Sequence, residues 1–403
     1  MKPYSYTISK PSEIEGVISA FRSLGVKGSS LLISIFTSYT KAEGLQYMVE
    51  ALSSAFPKAE ISGMTSSVCI NQGVNHRGKI VLLFEVFEKT YVHTICFDHE
   101  PGKEETVGCA VMSEIAKISE PLCGIEILAS QSDDRFSDFT PFLNVLTRDL
   151  PTTLPVWGAL ADSQTWPDHT YVFSKNYISS AGLILRVYTG EISIMLNHVL
   201  GFRPLSRPLT VTAMDGPMII KELDHKPAVY YYDKYIHTPD FQEQSLPFPL
   251  IQQYDGYDHA HLPQGRTLDG GIIFNIRCAV GTELRLSYGD PELMLSETKK
   301  IWEHMHAFGG ESAHILSCAA RYQFLNKNLG DVLANYNHVT PSFGIYAHGE
   351  IYRAGQRLVA AHLTGNVAVF REAKEPHRKD VSYNPVHLTQ HMTHLLQMAT
   401  FVS

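Results

Sequence analysis

The chain has no Cys-x-x-Cys pair, no run of Lys and Arg, and no apolar stretch near the roughly 20 residues that span a bilayer. Its six cysteines (Cys69, Cys96, Cys109, Cys123, Cys278, Cys318) are scattered, mostly inside apolar runs. That usage fits reduced, buried thiols in a cytoplasmic protein. A formal net charge of −8 leaves no basic surface for nucleic acid or an anionic membrane. The first nine residues lack the basic-then-apolar pattern of a signal peptide. Also missing are a Gly-x-Ser-x-Gly elbow, a His-Glu-x-x-His helix, a Walker A loop and a Gly-x-Gly-x-x-Gly turn after a strand. These gaps favour a non-catalytic chain, although a cysteine nucleophile needs no motif.

What is present describes an ordinary globular protein: 44% hydrophobic and 18% charged, so a packed core is expected. At 403 residues the chain is long for one core, and two or three domains are expected.

One small plan recurs three times: a β-branched run, an amphipathic helix, a second apolar run ending in a glycine-containing turn with a polar tip, then a strand. The first copy reads as a strand over 31–37, a helix over 41–56, the segment 59–67 containing Gly63, and a strand over 79–87. The second reads 124–130, 136–150, 154–162 with Gly158, and 182–188. The third reads 313–319, 329–336, 343–350 with Gly344 and Gly349, and 366–370. Ser66 and Ser67, Asp162 and Glu350 thus fall at equivalent turns, and loops outside strand ends are where open α/β sheets bind ligands.

A longer plan of strand, strand, helix, strand, helix, strand occurs over 81–156 and again over 272–346. The expected class is α/β (mixed α+β): two related halves built from repeated β-α-β-β units around mixed sheets, divided near residue 226. Between them, a strand starts at Thr210, Asp215-Gly216-Pro217 turns, and a hairpin leads to a helix over 227–235 with Pro227 at its first position. A loop-rich stretch precedes strands over 271–277 and 283–288 and a helix over 291–308. At the C-terminus Leu388, Met392, Leu395, Ala399 and Val402 follow a 4-3 heptad rhythm. It reads as a coiled-coil helix pairing two copies in parallel, or as a terminal helix packed on its own domain. Ending inside that rhythm favours a piece of a longer protein.

Several of these segments together resemble the FIST sensory family. They are Gly63-Met-Thr-Ser-Ser67, Pro155-Val-Trp-Gly158-Ala-Leu-Ala-Asp162, Gly201-Phe-Arg-Pro-Leu205 with Leu209-Thr-Val-Thr-Ala213, Lys221-Glu-Leu-Asp224-His-Lys-Pro-Ala228, Cys318-Ala-Ala-Arg321 and Gly344-Ile-Tyr-Ala-His-Gly-Glu-Ile351. They stand in family order and span roughly residues 28 to 371. The resemblance implies a FIST N-like domain over 1–226, a FIST C-like ligand-binding domain over 227–380 and a signalling helix over 381–403. It implies a sensor of amino acids or similar small metabolites, joined to a diguanylate cyclase, histidine kinase or chemoreceptor output. One subgroup of the family is associated with haem and nitric oxide. Two positions depart from the family pattern: Met64 stands where a cysteine is common, and Ala320 where a glycine usually precedes the arginine.

Arg321 and Glu350 are the leading candidates. Each follows an apolar run, where an unpaired buried charge costs several kcal/mol. They therefore pair with each other or grip a charged ligand, the guanidinium holding a carboxylate and the carboxylate an amine, as a zwitterion requires. Tyr346 and Cys318 lie in the same segments and are candidate walls of the cleft; Cys318 equally reads as a small core residue. Arg266 lies in a long loop and covers a pocket or is simply solvated. Ser66, Ser67 and Asp162 either contact ligand or satisfy turn backbone.

Nineteen histidines raise the question of metal. His304 and His306 on a helix point about 200° apart and cannot chelate together. His259 and His261 lie in a loop without companion ligands at metal spacing. His391 and His394 share a helix face. His198, in an apolar context, is a candidate haem ligand or a hydrogen-bonded core histidine. Three readings follow. The first is a cytoplasmic sensory module relaying small-metabolite occupancy through its C-terminal helix. The second is a haem-based nitric oxide sensor on the same scaffold. The third is an enzyme using Cys318.

Overall fold

Short apolar runs dominate the chain, and they become strands buried on both faces; Leu32–Thr37 of the first is an unbroken buried run. The computed structural model describes residues 1–130, 138–163, 169–235, 245, 247–254, 257–325 and 327–387. The heptad residues Leu388 to Val402, with His391 and His394, lie outside these residues.

The first unit runs β1 (Lys2–Ile8), α1 (Ile14–Ser23), β2 (Ser30–Thr37), α2 (Ala42–Ala55), β3 (Glu60–Thr65), β4 (Val68–Asn71), β5 (Val74–Arg77) and β6 (Ile80–Phe87). The second repeats it as β7 (Thr90–Asp98), α3 (Glu104–Ile115), β8 (Leu122–Ala129), α4 (Thr140–Asp149), β9 (Val156–Leu160), β10 (Val172–Ser174), β11 (Tyr177–Ser179) and β12 (Gly182–Gly190). The third opens with β13 (Ser193–Val199) and is then interrupted by an insert. The insert comprises β14 (Phe202–Pro204), β15 (Leu209–Asp215), β16 (Ile219–Leu223), β17 (Lys226–Pro227), α5 (Val229–Tyr235), β18 (Leu250–Tyr254), β19 (Tyr257–His261), β20 (Pro263–Arg266), β21 (Ile272–Phe274) and β22 (Glu283–Gly289). The third unit resumes as α6 (Pro291–Phe308), β23 (Ser312–Cys318), α7 (Ala319–Leu325), α8 (Lys327–Val339), β24 (Ser342–Ala347), β25 (Gly349–Ala354), β26 (Arg357–Ala361) and β27 (Gly365–Arg371). The strand–helix order expected over 272–346 is present, but β21 and β22 belong to the insert's sheet while β6 and β7 belong to the units themselves.

Each unit founds one six-stranded mixed sheet, and each lends its hairpin to a neighbour. The orders are β1-β6-β2-β3-β10-β11, β7-β12-β8-β9-β25-β26 and β13-β27-β23-β24-β4-β5. The hairpin of unit one therefore completes the sheet of unit three, that of unit two the sheet of unit one, and that of unit three the sheet of unit two. The exchange closes a ring in which each hairpin covers an edge of the next sheet.

Register makes the equivalence residue-specific. In the three parallel pairs Ile35 faces Gly63, Ile127 faces Gly158 and Ile315 faces Gly344. A Cβ on any of these glycines would overlap the carbonyl oxygen of the facing isoleucine.

Alternate side chains point outward onto helices or inward to a core shared by all three sheets. Outward, α2 covers its sheet with Leu45, Met48, Val49 and Leu52, an i, i+3, i+4, i+7 stripe. Inward, Phe36, Leu128 and Leu316, equivalent in register, meet in one cluster with Trp157, Tyr188 and Phe370. The α6 boundaries follow local rules: Asp290 accepts the Glu292 and Leu293 N–H groups at 2.9 and 3.0 Å, and Gly309 ends the helix at φ 63°. Pro227 departs from expectation. It sits in β17, because Ala228 N–H bonds to the Lys221 carbonyl, and α5 begins at Val229.

At the centre of the shared core lies a closed charge network. Glu126, on β8, is equivalent in register to His314 on β23. His314 donates from both ring nitrogens, at 3.1 Å to Glu126 and 3.1 Å to Glu85 on β6. Arg186 on β12 bonds Glu126 at 2.9 Å and reaches Ser62 on β3 through its side chain at 2.8 Å and its carbonyl at 2.9 Å. Burial disfavours the imidazolium, but the two carboxylates outweigh it and carry the His314 pKa up to about 10. Burial likewise works against the Glu126 carboxylate, and His314 and Arg186 bring its pKa down to about 2.

Two outcomes follow. The His314 contribution is complete below its unfolded value of 6.5 and is lost as pH rises through about 10. That of Glu126 is complete above its unfolded 4.5 and is lost as pH falls toward about 2. Urea denaturation at varied pH should therefore show a plateau between these unfolded values, and His314→Ala should cost roughly 3–5 kcal/mol there by stranding two carboxylates. Gly158→Ala, which forces β8 and β9 apart, should cost about 1–3 kcal/mol in the same assay.

Candidate functional site

The parallel strands of all three units end on the same side of the ring, and their following turns bond to one another in a cycle. Asp162 N–H donates to the Thr65 carbonyl at 3.1 Å, His348 N–H to the Leu160 carbonyl at 2.9 Å, and Ser66 Oγ to the Tyr346 carbonyl at 2.7 Å. Counting from the equivalent glycines, Ser67, Asp162 and His348 occupy one position of the plan. All three are partly exposed. The Asp162 carboxyl accepts hydrogen bonds from the Ser67 hydroxyl and from the Ser67 and Ser163 backbones. Burial raises its pKa against those bonds and against nearby His348. The His348 imidazole is pushed down by burial, with Asp162 opposing.

Beside this turn cluster the third unit adds charged groups. Thr364 Oγ1 donates to Glu350 Oε2 at 2.7 Å, while Glu350 Oε1 has no hydrogen-bond partner. Arg321, on α7, donates from Nη1 to the Leu200 carbonyl at 3.1 Å, while its Nη2 has none. Glu350 is 0% and Arg321 2% exposed, and each leaves one polar atom without a partner rather than bonding the other. Glu350 is pushed well above the usual carboxylate range by burial, with Thr364 and Arg321 opposing and Asp162 adding to the rise. Arg321 is lowered by burial, against Tyr336, Glu297 and Glu350. Gly365 packs closely here: a Cβ on it would stand 3.2 Å from Val199 Cγ1 and 3.6 Å from Arg321 Nε and Ser317 Oγ, and Ser317 Oγ is also without a partner. Cys318 lies alongside, its Sγ 4.0 Å from the His348 carbonyl, and burial followed by the Glu350 charge pushes its thiol up.

Glu350 is not dictated by the fold. Hairpin register equates it with Cys69 and Val172, both buried apolar positions in the other sheets. A buried carboxyl at one of three equivalent places is a departure from the scaffold.

Of the residues singled out in sequence, Ser66, Ser67, Asp162, Cys318, Arg321 and Glu350 converge on this end of the ring. Tyr346 contributes its carbonyl there, but its ring turns outward to Tyr322 at 4.7 Å and its hydroxyl meets Asn75 at 3.0 Å. Arg266 sits on β20 of the insert, ion-paired with Asp233 at 2.9 Å. The sequence reading missed His348, His362 and Thr364. His348 was available as the third member of the Ser67/Asp162 position; His362, whose Nδ1 meets the His348 carbonyl at 2.8 Å, carried no local signal.

His259 and His261 are buried on β19, with Nε2 atoms 3.0 Å from the Ala360 carbonyl and 3.0 Å from Gln252 Oε1. Burial lowers them to about 4 and about 3. His304 meets Asn197 and His306 the Lys379 carbonyl. Among the described residues no group of three or more His, Cys, Asp or Glu is placed to hold a metal ion. His198 stacks on Tyr352, with centroids 4.7 Å apart, beside a cavity of about 340 Å³. That volume is at the small end for ligand sites. No helix among the described residues is long and apolar enough to cross a membrane.

Comparison with known proteins gives three results. The FIST N domain model matches residues 31–226 and the FIST C domain model residues 228–353. No curated protein matches the chain. Among solved structures, cyanuric acid hydrolase from A. caulinodans aligns at 8% identity and TM-score 0.39, covering 93% of this chain and 99% of that one. A second cyanuric acid hydrolase structure gives 8% and 0.30 over 49% and 72%, and a chorismatase 7% and 0.34 over 91% and 98%. At these scores the likeness says nothing about what this chain binds or does. FIST domains are sensory domains of signalling proteins. With both of its domain models matched in order along the chain, this protein belongs to the FIST family.

Proposed function

We propose that the chain is a non-catalytic sensory module that binds a small zwitterionic metabolite of the amino-acid type between Arg321 and Glu350. One observation carries this reading: a buried guanidinium and a buried carboxyl within electrostatic reach of each other, each with one atom lacking a hydrogen-bond partner. An unpaired buried charge costs several kcal/mol. A ligand carboxylate on Arg321 Nη2 and an ammonium on Glu350 Oε1 would satisfy both. Because the pair is sealed from solvent, entry requires the α7 segment to move, and a ligand that favours one arrangement shifts the balance by about 1–3 kcal/mol of coupling.

A physical path leads from this site toward the output. Tyr336 on α8 lies near Arg321 and donates its hydroxyl to the Thr298 carbonyl of α6 at 3.3 Å. Tyr383 packs on Trp302 of α6, with centroids 5.6 Å apart. Asn384 is clamped by Asn335, and the His387 carbonyl by Asn328. Residues 388–403 follow directly, and their heptad spacing supports a helix that carries the change to a diguanylate cyclase or histidine kinase.

Isothermal titration with the common amino acids should give binding with at least one, lost in Arg321→Ala. Ammonium binding lowers the raised Glu350 pKa, so binding should release protons and strengthen with pH up to the ligand-free value. Silence across the whole set with folded protein removes this reading. The cysteine-enzyme alternative is tested by iodoacetamide at neutral pH: exposed Cys109 should label and Cys318, whose thiol is raised and buried, should not. Rapid Cys318 labelling would reopen catalysis.

A further inference from the structure

Each unit has a groove between its covering helix and the hairpin lent to its sheet, so each copy is a control for the other two. In unit one the groove runs between α2 and β11, lies open at the surface and is lined in part by the acidic residues Glu43 and Asp98. In unit three it is closed, for a Cβ on Gly73 in the β4–β5 turn would stand 2.6 Å from the Leu333 carbonyl of α8. In unit two the insert roofs it. His259 on β19 is tied to the edge strand β26 by its Nε2, 3.0 Å from the Ala360 carbonyl, and residues 276–279 face that strand across a gap. Between this roof, the first turns of α4 and β26 lies a cavity of about 260 Å³. Ligand sites favour such junctions between separately folded parts of a chain.

The walls of this cavity are aliphatic: Leu143 of α4, Leu358 and Val359 of β26, Ile276 and Ala279 of the insert. Arg277 and Arg357 line it as well, and among the described residues no acidic side chain does. Asp138, just before α4, is ion-paired with Arg277, and its Oδ1 accepts the Thr140 N–H at 3.0 Å. One carboxylate thus answers two guanidiniums, and the described residues leave the cavity one positive charge in excess. The open groove of unit one carries the opposite sign, so the scaffold does not impose this charge. An aliphatic interior with a single surplus guanidinium matches an apolar body bearing one negative charge, and a planar carboxylate is the anion that a guanidinium holds through two parallel bonds. A dianion would leave a charge unmatched. The volume is below the usual range for drug-sized ligands, which limits the body to a short chain or one ring. We infer that this cavity is a second ligand site, separate from Arg321 and Glu350, which takes a small apolar monocarboxylate and is completed by the insert.

Hexanoate is the probe, titrated into the full chain by calorimetry. Its controls are hexan-1-ol, which has the body without the charge, acetate, which has the charge without the body, and hexylammonium, which reverses the charge. Hexanoate should bind at least about tenfold more tightly than any of the three. Arg357→Gln removes the surplus charge from an exposed position and should weaken hexanoate to the level of hexan-1-ol. Ala279→Trp, also at an exposed position, fills the cavity from the insert side and should abolish binding with the thermal midpoint unchanged; it carries the test alone should Arg357→Gln fail to fold. Arg321→Ala should leave hexanoate binding intact while abolishing amino-acid binding, because hexanoate has no ammonium for Glu350. Loss of hexanoate binding in Arg321→Ala would move it to the sensory site and overturn the assignment. So would no hexanoate binding, hexan-1-ol bound equally well, or binding unchanged in both Arg357→Gln and Ala279→Trp.

Discussion

The charge network of Glu85, His314, Glu126 and Arg186 is the constraint to which the rest of the structure answers. Its members come from all three sheets: β6 from the first, β8 and β12 from the second, β23 from the third, with Ser62 of β3 bonded to the arginine. Two carboxylates against an imidazolium and a guanidinium make it formally neutral, and Trp157 and Tyr188 add donors to Glu126 at 3.2 and 3.3 Å. Such a cluster, replaced whole by well-packed apolar side chains, could be as stable or more so, so its significance is specificity. A strand that slipped by one residue would turn its member of the network toward the helix layer and strand the others. In a ring whose units share one plan, and whose hairpins could pair with any of three similar edges, that penalty selects one assembly.

A closed ring of three equivalents also explains where chemistry appears. The scaffold needs its glycines facing Ile35, Ile127 and Ile315, and it keeps them in every unit. It does not need Glu350 where Cys69 and Val172 serve. Ser67, Asp162 and His348 differ likewise at one position, and they sit at the strand ends, where open sheets gather ligands. Function in this molecule is read from the differences between units, and packing from their agreement.

Much of this was legible in the sequence. The threefold plan, the glycine turns, the polar tips and the Asp290–Gly309 limits of α6 are local patterns, and local patterns survive folding. The hairpin exchange was not legible, since alternation of side chains specifies a strand's faces but not which edge it joins. Glu126 and His314 each appear as one polar residue in an apolar run, a signal that shows burial without naming the partner. Tyr346 was assigned to the cleft because it neighbours the turn. Strand alternation turns its ring to the helix side and leaves only its carbonyl at the site. Pro227 has the φ suited to a helix start, but the Ala228 bond to Lys221 holds it in the sheet.

The proposed site and the stacked His198–Tyr352 pair share their supports. Glu350 and Tyr352 lie two residues apart on β25 and so face the same way, as do Thr364 and Asn366 on β27. Thr364 bonds Glu350, and Asn366 bonds the Ile351 carbonyl, so two consecutive rungs tie the same two strands. An ammonium that draws Glu350 toward it, as proposed above, pulls on the first rung. A shift of β25 against β27 alters both rungs and so reaches the stack of Tyr352 on His198. The β25–β26 hairpin is held in its host unit by the β25–β9 pairing, by Ile351 and Leu358 packed on α4, and by the Leu358 N–H bond to Thr147 Oγ1 at 2.9 Å. The charge network ties β6, β8, β12 and β23 together at the core, so a pull on β25 is met by strands already fixed to one another.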